Sequence, residues 1–262
     1  MHDSLYAIAA VVLTFSALAL FGLRVAIRGG VRYDRVDAVG GSPLLSQRLV
    51  EFGYWAILPA ARACARAGIT PNHITWMSLA LGVGSGVAIS FGLLGLGALL
   101  ALISALGDAL DGQVARMTKT GSPAGEVLDA SVDRYMEFAY IGGLVLFYKD
   151  APLFQAIALL ALLASFMVSY ATAKAEAMRV EPPRGAMRRH ERSVYLIAGC
   201  AFSSLLSPWL EPFPRYPELR AIPALAALIV VATVGNYSAV RRLWLTAKAL
   251  RERDDKGGPA SM

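Results

Sequence analysis

Four carboxylates within 26 residues, Asp108, Asp111, Asp129 and Asp133, have the types and spacing to do chemistry. Asp108 and Asp111 stand three apart, and Asp129 and Asp133 four apart. On helices each pair therefore shares a face. The short segment 117–124 joins the two stretches as antiparallel neighbours, so the pairs face each other at one depth. Carboxylates this close repel one another, and divalent cations relieve the repulsion by binding the oxygens directly. Two metal ions held between carboxylates form a device for phosphoryl chemistry, in which one clamps the phosphate and both neutralise developing charge. An all-oxygen donor set selects a hard ion, Mg²⁺ or Mn²⁺, over zinc. Gly112 follows Asp111, and Gly125 opens the facing helix. Without a Cβ, each lets a ligand or another helix approach. Arg116, one turn beyond Gly112, offers a planar fork to phosphate oxygens. The plainer reading of the same residues is a set of ion pairs with Arg116, Lys119 and Arg134.

The elements that must position these acids are apolar. The chain has 262 residues, is 56% hydrophobic, and has a mean hydropathy of +0.52. That composition belongs to an integral membrane protein. No acidic residue occurs between Glu51 and Asp108. A charge at the centre of a bilayer costs about 2.5–3.5 kcal/mol on insertion scales, so four acids need a cationic partner. The net charge of +6 and pI near 9.5 follow from Lys and Arg gathered on cytoplasmic loops. No basic patch is interleaved with base-stacking aromatics, which argues against nucleic acid. Cys64 and Cys200, and His2, His73 and His190, form neither a disulfide framework nor a metal signature.

Hydropathy predicts an all-α integral membrane fold. A first transmembrane helix covers 5–22 and is retained rather than cleaved, since its flank carries His2 and Asp3 instead of Lys or Arg. A glycine-rich linker with Arg32 and Arg35 follows. Residues 44–68 are amphipathic, as suits a helix in the interface plane that Pro59 bends or breaks. Six core spans follow at about 70–90, 97–115, 125–147, 153–173, 193–209 and 221–240. A charged loop, Lys174 to Arg192, contains Arg184. An irregular connection holds Pro208, Pro212, Pro214 and Pro217, and a tail begins at Arg241. With the N-terminus outside and the C-terminus inside, only Lys149, Arg215 and Arg220 fall on outer loops. That asymmetry supports seven spans and places the acids near the cytoplasmic face. The division is 1–43 for the first helix and linker, 44–68 for the interfacial helix, 69–246 for the membrane domain and 247–262 for a cytoplasmic tail.

The stretch from Asp108 to Asp133 has the form D-x2-D-G-x2-A-R-x8-G-x3-D-x3-D. It resembles, without a departure, the signature of the CDP-alcohol phosphotransferase family. Thr70-Pro71-Asn72-His73-Ile74-Thr75 is similar to the family's opening of its first core helix. The resemblance implies a membrane enzyme, usually a homodimer, that transfers a substituted phosphate from a CDP-linked donor such as CDP-diacylglycerol to an alcohol and releases CMP. It implies Asp108, Asp111, Asp129 and Asp133 as ligands of Mg²⁺ or Mn²⁺, two ions in all, with Asp133 also the general base. It implies Asn72, Thr75, Asp111, Gly112, Arg116 and Gly125 as the CDP-binding set.

The acceptor is read from other positions. Lys174, Arg192 and Arg242 resemble the three basic points with which bacterial phosphatidylinositol phosphate synthases surround the acceptor's phosphate. Thr172 departs from that pattern, standing where those enzymes place a lysine. Inositol phosphate is the expected acceptor, with glycerol 3-phosphate as the alternative. Two readings of other classes compete. One is a transporter with a cation on the carboxylates, disfavoured because they cluster at one face rather than at the midplane. The other is a catalytically inert membrane scaffold, disfavoured by the intact signature.

Overall fold

The computed structural model describes residues 2–29, 47–183, 185–210 and 221–255. Among them are eight helices and no strand: α1 (His2–Arg28), α2 (Gln47–Arg66), α3 (Pro71–Ser90), α4 (Leu94–Thr118), α5 (Pro123–Phe147), α6 (Pro152–Ala177), α7 (Arg189–Leu210) and α8 (Ile222–Asp255). The linker with Arg32 and Arg35, Arg184, the connection bearing Pro212, Pro214, Pro217, Arg215 and Arg220, and the end of the tail lie outside the described residues.

Prolines begin several of these helices. Pro71, Pro123 and Pro152 occupy first-turn positions, where a missing N–H costs nothing. Thr70 and Ser122 cap α3 and α5 by accepting from His73 N and Gly125 N. Lys119, in the left-handed region at φ 56°, closes α4. Only residues 119–122 separate α4 from α5, yet the two helices do not pack along each other as the short segment suggested; α3 packs against both.

Three expected boundaries move. Pro59 sits inside α2 without ending it. The fourth core span extends from 173 to Ala177, which shortens the charged loop. The tail does not start at Arg241, because α8 runs unbroken to Asp255. Hydropathy alone marks where a helix leaves lipid, whereas the backbone stays helical until a breaker intervenes. The segment Arg241–Asp255 contains neither Gly nor Pro.

Five helices, α1, α3, α4, α6 and α8, are long and apolar enough to cross a membrane. α5 carries Glu126, Asp129, Asp133, Arg134 and Glu137 within its first fifteen residues, and this charge sets it apart from the five. The bundle is inverted relative to a water-soluble one. α6 buries Ala158, Ala161, Ala164 and Ser165 while exposing Leu159, Leu160, Leu163 and Phe166. Small residues let helices approach closely, and large apolar ones face lipid. The closest crossing joins α3 to α5. A Cβ on Gly86 would overlap the Ala139 carbonyl, and one on Gly143 would overlap the Gly86 carbonyl.

The main core brings α3, α4, α5, α6, α7 and α8 together around Ile89, Ile141, Leu144, Leu196 and Leu228. Tyr140 on α5 and Tyr148 at its carboxyl cap donate to the Leu196 and Ala221 carbonyls, at 3.0 Å each, and tie α5 to α7 and to the start of α8. A smaller cluster of Ala61, Ile74 and Val114 packs α2 and α3 against the carboxyl end of α4. That end carries the acids.

Candidate active site

The amino ends of α3 and α5 and the carboxyl end of α4 meet on one side of the bundle. Asp108 and Asp111 lie in the last turns of α4, and Asp129 and Asp133 in the second and third turns of α5. One carboxylate oxygen from each of Asp108, Asp111 and Asp129 lies within 4.8 Å of the others. Asp111 is 4% exposed, and its Oδ2 accepts from the Thr75 hydroxyl at 2.6 Å. Asp129 Oδ1 is buried with no hydrogen-bond partner among the described residues. An unpaired buried carboxylate oxygen is unfavourable unless a cation meets it. Three converging hard donors, one of them orphaned, fit a divalent ion of the Mg²⁺ or Mn²⁺ type.

Asp133 stands apart from that trio. It is buried and pairs with Nη1 of Arg189, whose Nη2 lies 2.8 Å from Asp108 Oδ1. Arg189 thereby bridges α4 and α5 from the first turn of α7. Among the partners expected from sequence, Arg134 turns to Glu137 instead, at 3.2 Å.

Glu137 lies one turn beyond Asp133 on the same face of α5. Its Oε1 accepts from Arg192 Nε at 2.7 Å, and Arg192 Nη2 lies at the same distance. Arg192 Nη1 donates to the Met187 carbonyl at 2.6 Å. Two rungs therefore join α5 to α7: Asp133 to Arg189, and Glu137 to Arg192. The start of α7 is held by Glu191, whose Oε2 accepts from Met187 N and Arg188 N at 2.7 and 3.2 Å.

Beyond these rungs opens a cavity of about 420 Å³. Arg134, Arg188, Arg189, Arg192 and Arg242 line it, with Thr172. Arg242 is 6% exposed. Its Nη1 donates to Thr172 Oγ1 at 2.9 Å, and its Nη2 to the Gly185 and Ala186 carbonyls at 3.2 Å each. Lys174 is exposed and does not line the cavity. Two positions along a helix rotate a side chain by about 200°, so Thr172 faces the cavity and Lys174 does not.

The residues expected around CDP gather at the same end. Asn72 is exposed on the first turn of α3. Gly112 is half-buried beneath the Arg116 guanidinium, whose Nη1 a Cβ would meet at 3.3 Å. Gly125 donates its N–H to Ser122 Oγ at 3.1 Å. Thr75 and Asp111 are thus in direct contact, while Asn72, Gly112, Arg116 and Gly125 lie on the helix ends that carry the acids.

From the sequence, Glu137 carries no assigned role, and Arg189, with Arg184 and Arg188, stands evenly between membrane topology and the acceptor's phosphate. Glu137 continues the stripe Asp129, Asp133 at the same interval of four, and that interval is a legible signal. Arg189 stands in a basic run whose membrane-topology role conceals any individual task.

A family model described as CDP-alcohol phosphatidyltransferase matches residues 68–235. The chain belongs to that family. It is accordingly a transferase and an integral membrane protein. The transporter and inert-scaffold readings give way to it. The chain is 35% identical over 187 residues to the phosphatidylinositol phosphate synthase of Mycolicibacterium smegmatis, covering 70% of this chain and 82% of that one. It is 29% identical over 180 residues to the archaetidylinositol phosphate synthase of Methanothermobacter thermautotrophicus, covering 68% and 83%. Crystal structures of the Mycobacterium tuberculosis phosphatidylinositol phosphate synthase superpose on it. The structure with CDP-DAG bound gives a TM-score of 0.61 at 28% identity, covering 72% of this chain and 92% of that one. The complex with manganese and citrate gives 0.63 at 28% identity, covering 73% and 88%. The first 67 residues lie outside the family match.

Proposed function

We propose that this enzyme transfers the phosphatidyl group of CDP-diacylglycerol to a hydroxyl of a phosphorylated polyol, inositol phosphate, with release of CMP. The observation that carries the acceptor is the cavity of about 420 Å³ beside Asp133, lined by five arginines. So many guanidinium groups suit a dianionic phosphate and do not suit a neutral or zwitterionic alcohol. The names of the similar synthases support the same acceptor.

In this reading Asp108, Asp111 and Asp129, with Asp133, hold two divalent ions, Mg²⁺ or Mn²⁺. When bound, the ions neutralise charge on the diphosphate. Thr75 orients Asp111. Gly112 and Gly125 admit the diphosphate, Arg116 holds its oxygens, and Asn72 lines the nucleotide pocket. The acceptor hydroxyl attacks the phosphorus that bears diacylglycerol, its proton passes to Asp133, and the anhydride bond to CMP breaks. One P–O bond forms and one is lost. Arg192, fixed by Glu137, and Arg242, fixed by Thr172, present cations to the acceptor's phosphate. Thr172, at the position where the resemblance implies a lysine, orders Arg242.

The same reading gives seven spans, with α5 and α7 crossing beside the five apolar helices. α2 lies in the interface plane, the N-terminus is outside, the C-terminus and active site face the cytoplasm, and the enzyme is a homodimer. Purified enzyme with CDP-diacylglycerol and Mn²⁺ tests the acceptor. Inositol 1-phosphate should draw CMP release above glycerol 3-phosphate, serine and free inositol, with the lipid product identified by mass. A higher specificity constant for glycerol 3-phosphate would replace inositol phosphate as the acceptor.

A further inference from the structure

Five arginines line the acceptor cavity, and three of them can be compared by what holds them. Arg192 is 1% exposed, and its three guanidinium nitrogens all face protein acceptors: Glu137 Oε1 and the Met187 carbonyl. Arg242 is anchored by the Thr172 hydroxyl and two backbone carbonyls. These partners belong to the scaffold. Arg189 differs in both respects. Its side chain is 30% exposed, and its partners are Asp108 and Asp133, members of the catalytic carboxylate set. It is also shared between two spaces. It lines the arginine-rich cavity and a second, smaller one of about 60 Å³, which Asp133 and Glu137 line with it. No other arginine lines both cavities among the described residues.

We propose that Arg189 is a positioning residue that couples arrival of the acceptor's phosphate to release of Asp133. The proposal rests on the phosphorylated-acceptor reading above. While Arg189 is paired, its Nη1 occupies Asp133 Oδ2; Asp133 Oδ1 is buried without a hydrogen-bond partner among the described residues, so Oδ2 is the oxygen that a substrate hydroxyl must reach to hand over its proton. A phosphate in the adjoining cavity offers the guanidinium a stronger, bidentate partner. Arg189 then exchanges carboxylate oxygens for phosphate oxygens, and Asp133 is left facing the hydroxyl of the same molecule. No bond is made or broken in this step, only ion pairs are exchanged. An unphosphorylated polyol makes no such exchange, so it meets a base that is still covered. Specificity for a phosphorylated acceptor then comes from access to the base as well as from affinity in the cavity. The Glu137–Arg192 rung one turn deeper keeps α7 in register while Arg189 moves.

The test uses full-length enzyme in detergent with Mn²⁺ and CDP-diacylglycerol, comparing wild type, Arg189→Gln and Arg189→Lys. Initial rates are measured with inositol 1-phosphate and with free inositol. Removing a charged hydrogen-bond partner should raise KM for inositol 1-phosphate in R189Q by about tenfold to a hundredfold. The ratio of kcat/KM values for the two acceptors should collapse toward one, because free inositol no longer meets a covered base. R189K keeps the charge and loses the fork, and should show an intermediate ratio. It carries the test if R189Q does not fold. Affinity for CDP-diacylglycerol, measured by calorimetry, should stay within about twofold of wild type, since the proposal gives Arg189 no donor contact. A lower kcat with an unchanged acceptor ratio in both variants would overturn the proposal and leave the acceptor assignment standing. A wild-type enzyme that prefers free inositol would overturn the acceptor assignment and the proposal with it.

Discussion

The two ends of α4 each meet carboxylates withdrawn from bulk water, Asp3 of α1 half-buried at one and Asp111 buried at the other, and they are accommodated in opposite ways. At the amino end, Asp3 of α1 reaches across to α4. Its Oδ2 accepts from Gly95 N at 2.8 Å and from the Ser204 hydroxyl at 2.6 Å, and its Oδ1 accepts from Leu96 N at 3.0 Å. Both amides are unpaired donors of a helix amino terminus, where the backbone dipoles favour an anion. Every polar contact there is neutral, local and complete. At the carboxyl end of the same helix, Asp108 and Asp111 sit where the dipole disfavours them. They face Asp129, whose Oδ1 finds no hydrogen-bond partner among the described residues. The first carboxylate is a bolt that fixes α1 to α4 and α7. The second group is an open donor set, complete only with a cation. An acid withdrawn from water is thus read as structural or chemical by what remains unsatisfied around it, since that withdrawal is common to both ends.

Four substitutions test that contrast. Asp133→Asn should have the largest effect, lowering CMP release by about 10²–10⁴-fold as expected for loss of a general base. Binding of CDP-diacylglycerol, followed by calorimetry, should persist. Near-normal turnover in this variant would remove Asp133 from the role of base. Glu137→Gln should come next, because it strips the counter-ion from an arginine that is 1% exposed. Breaking a buried pair from one side costs about 3–5 kcal/mol, read as a large fall in thermal midpoint in detergent. An unchanged midpoint would mean that the deeper rung holds nothing.

Thr75→Val removes the donor to Asp111 while keeping the shape. Loss of a partner to a metal-ligating carboxylate typically costs about 10–100-fold in metal affinity or activity. Mn²⁺ titration followed by electron paramagnetic resonance is the check, and an unaltered affinity would detach Asp111 from the metal set. Asp3→Ala should have the smallest effect, a loss of about 0.5–2 kcal/mol as for a helix cap. The midpoint should fall by a few degrees with kcat and Mn²⁺ affinity unchanged. A loss of turnover in well-folded Asp3→Ala enzyme would erase the distinction between the two ends.

Much of the catalytic end was legible before any coordinates. Asp108, Asp111, Asp129 and Asp133 lie at intervals of three and four, and only a short segment joins their helices. Intervals of that kind place side chains on one helix face whatever the rest of the fold does, whereas the direct packing that the short segment suggested does not form, because α3 packs against both helices. The caps Thr70 and Ser122 and the prolines after them marked where α3 and α5 start, for equally local reasons. The helix ends that were misjudged, at Ala177 and Asp255, are those where apolar character fades and no breaker stands.

What only the tertiary structure decided lies across long sequence separations. Arg189 is 56 residues from Asp133 in the chain, and only the packing of α7 against α4, with long side chains reaching across to α5, brings the two together. The same fold pairs Arg192 with Glu137, and it turns Thr172 from a missing cation into the group that orders Arg242. Asp3 looked like a flank of a possible leader segment until α1 lay beside α4 and α7. Helix periodicity determines which residues share a face. Which face meets which depends on complementary packing between helices, a pairwise property that no single stretch of the chain carries.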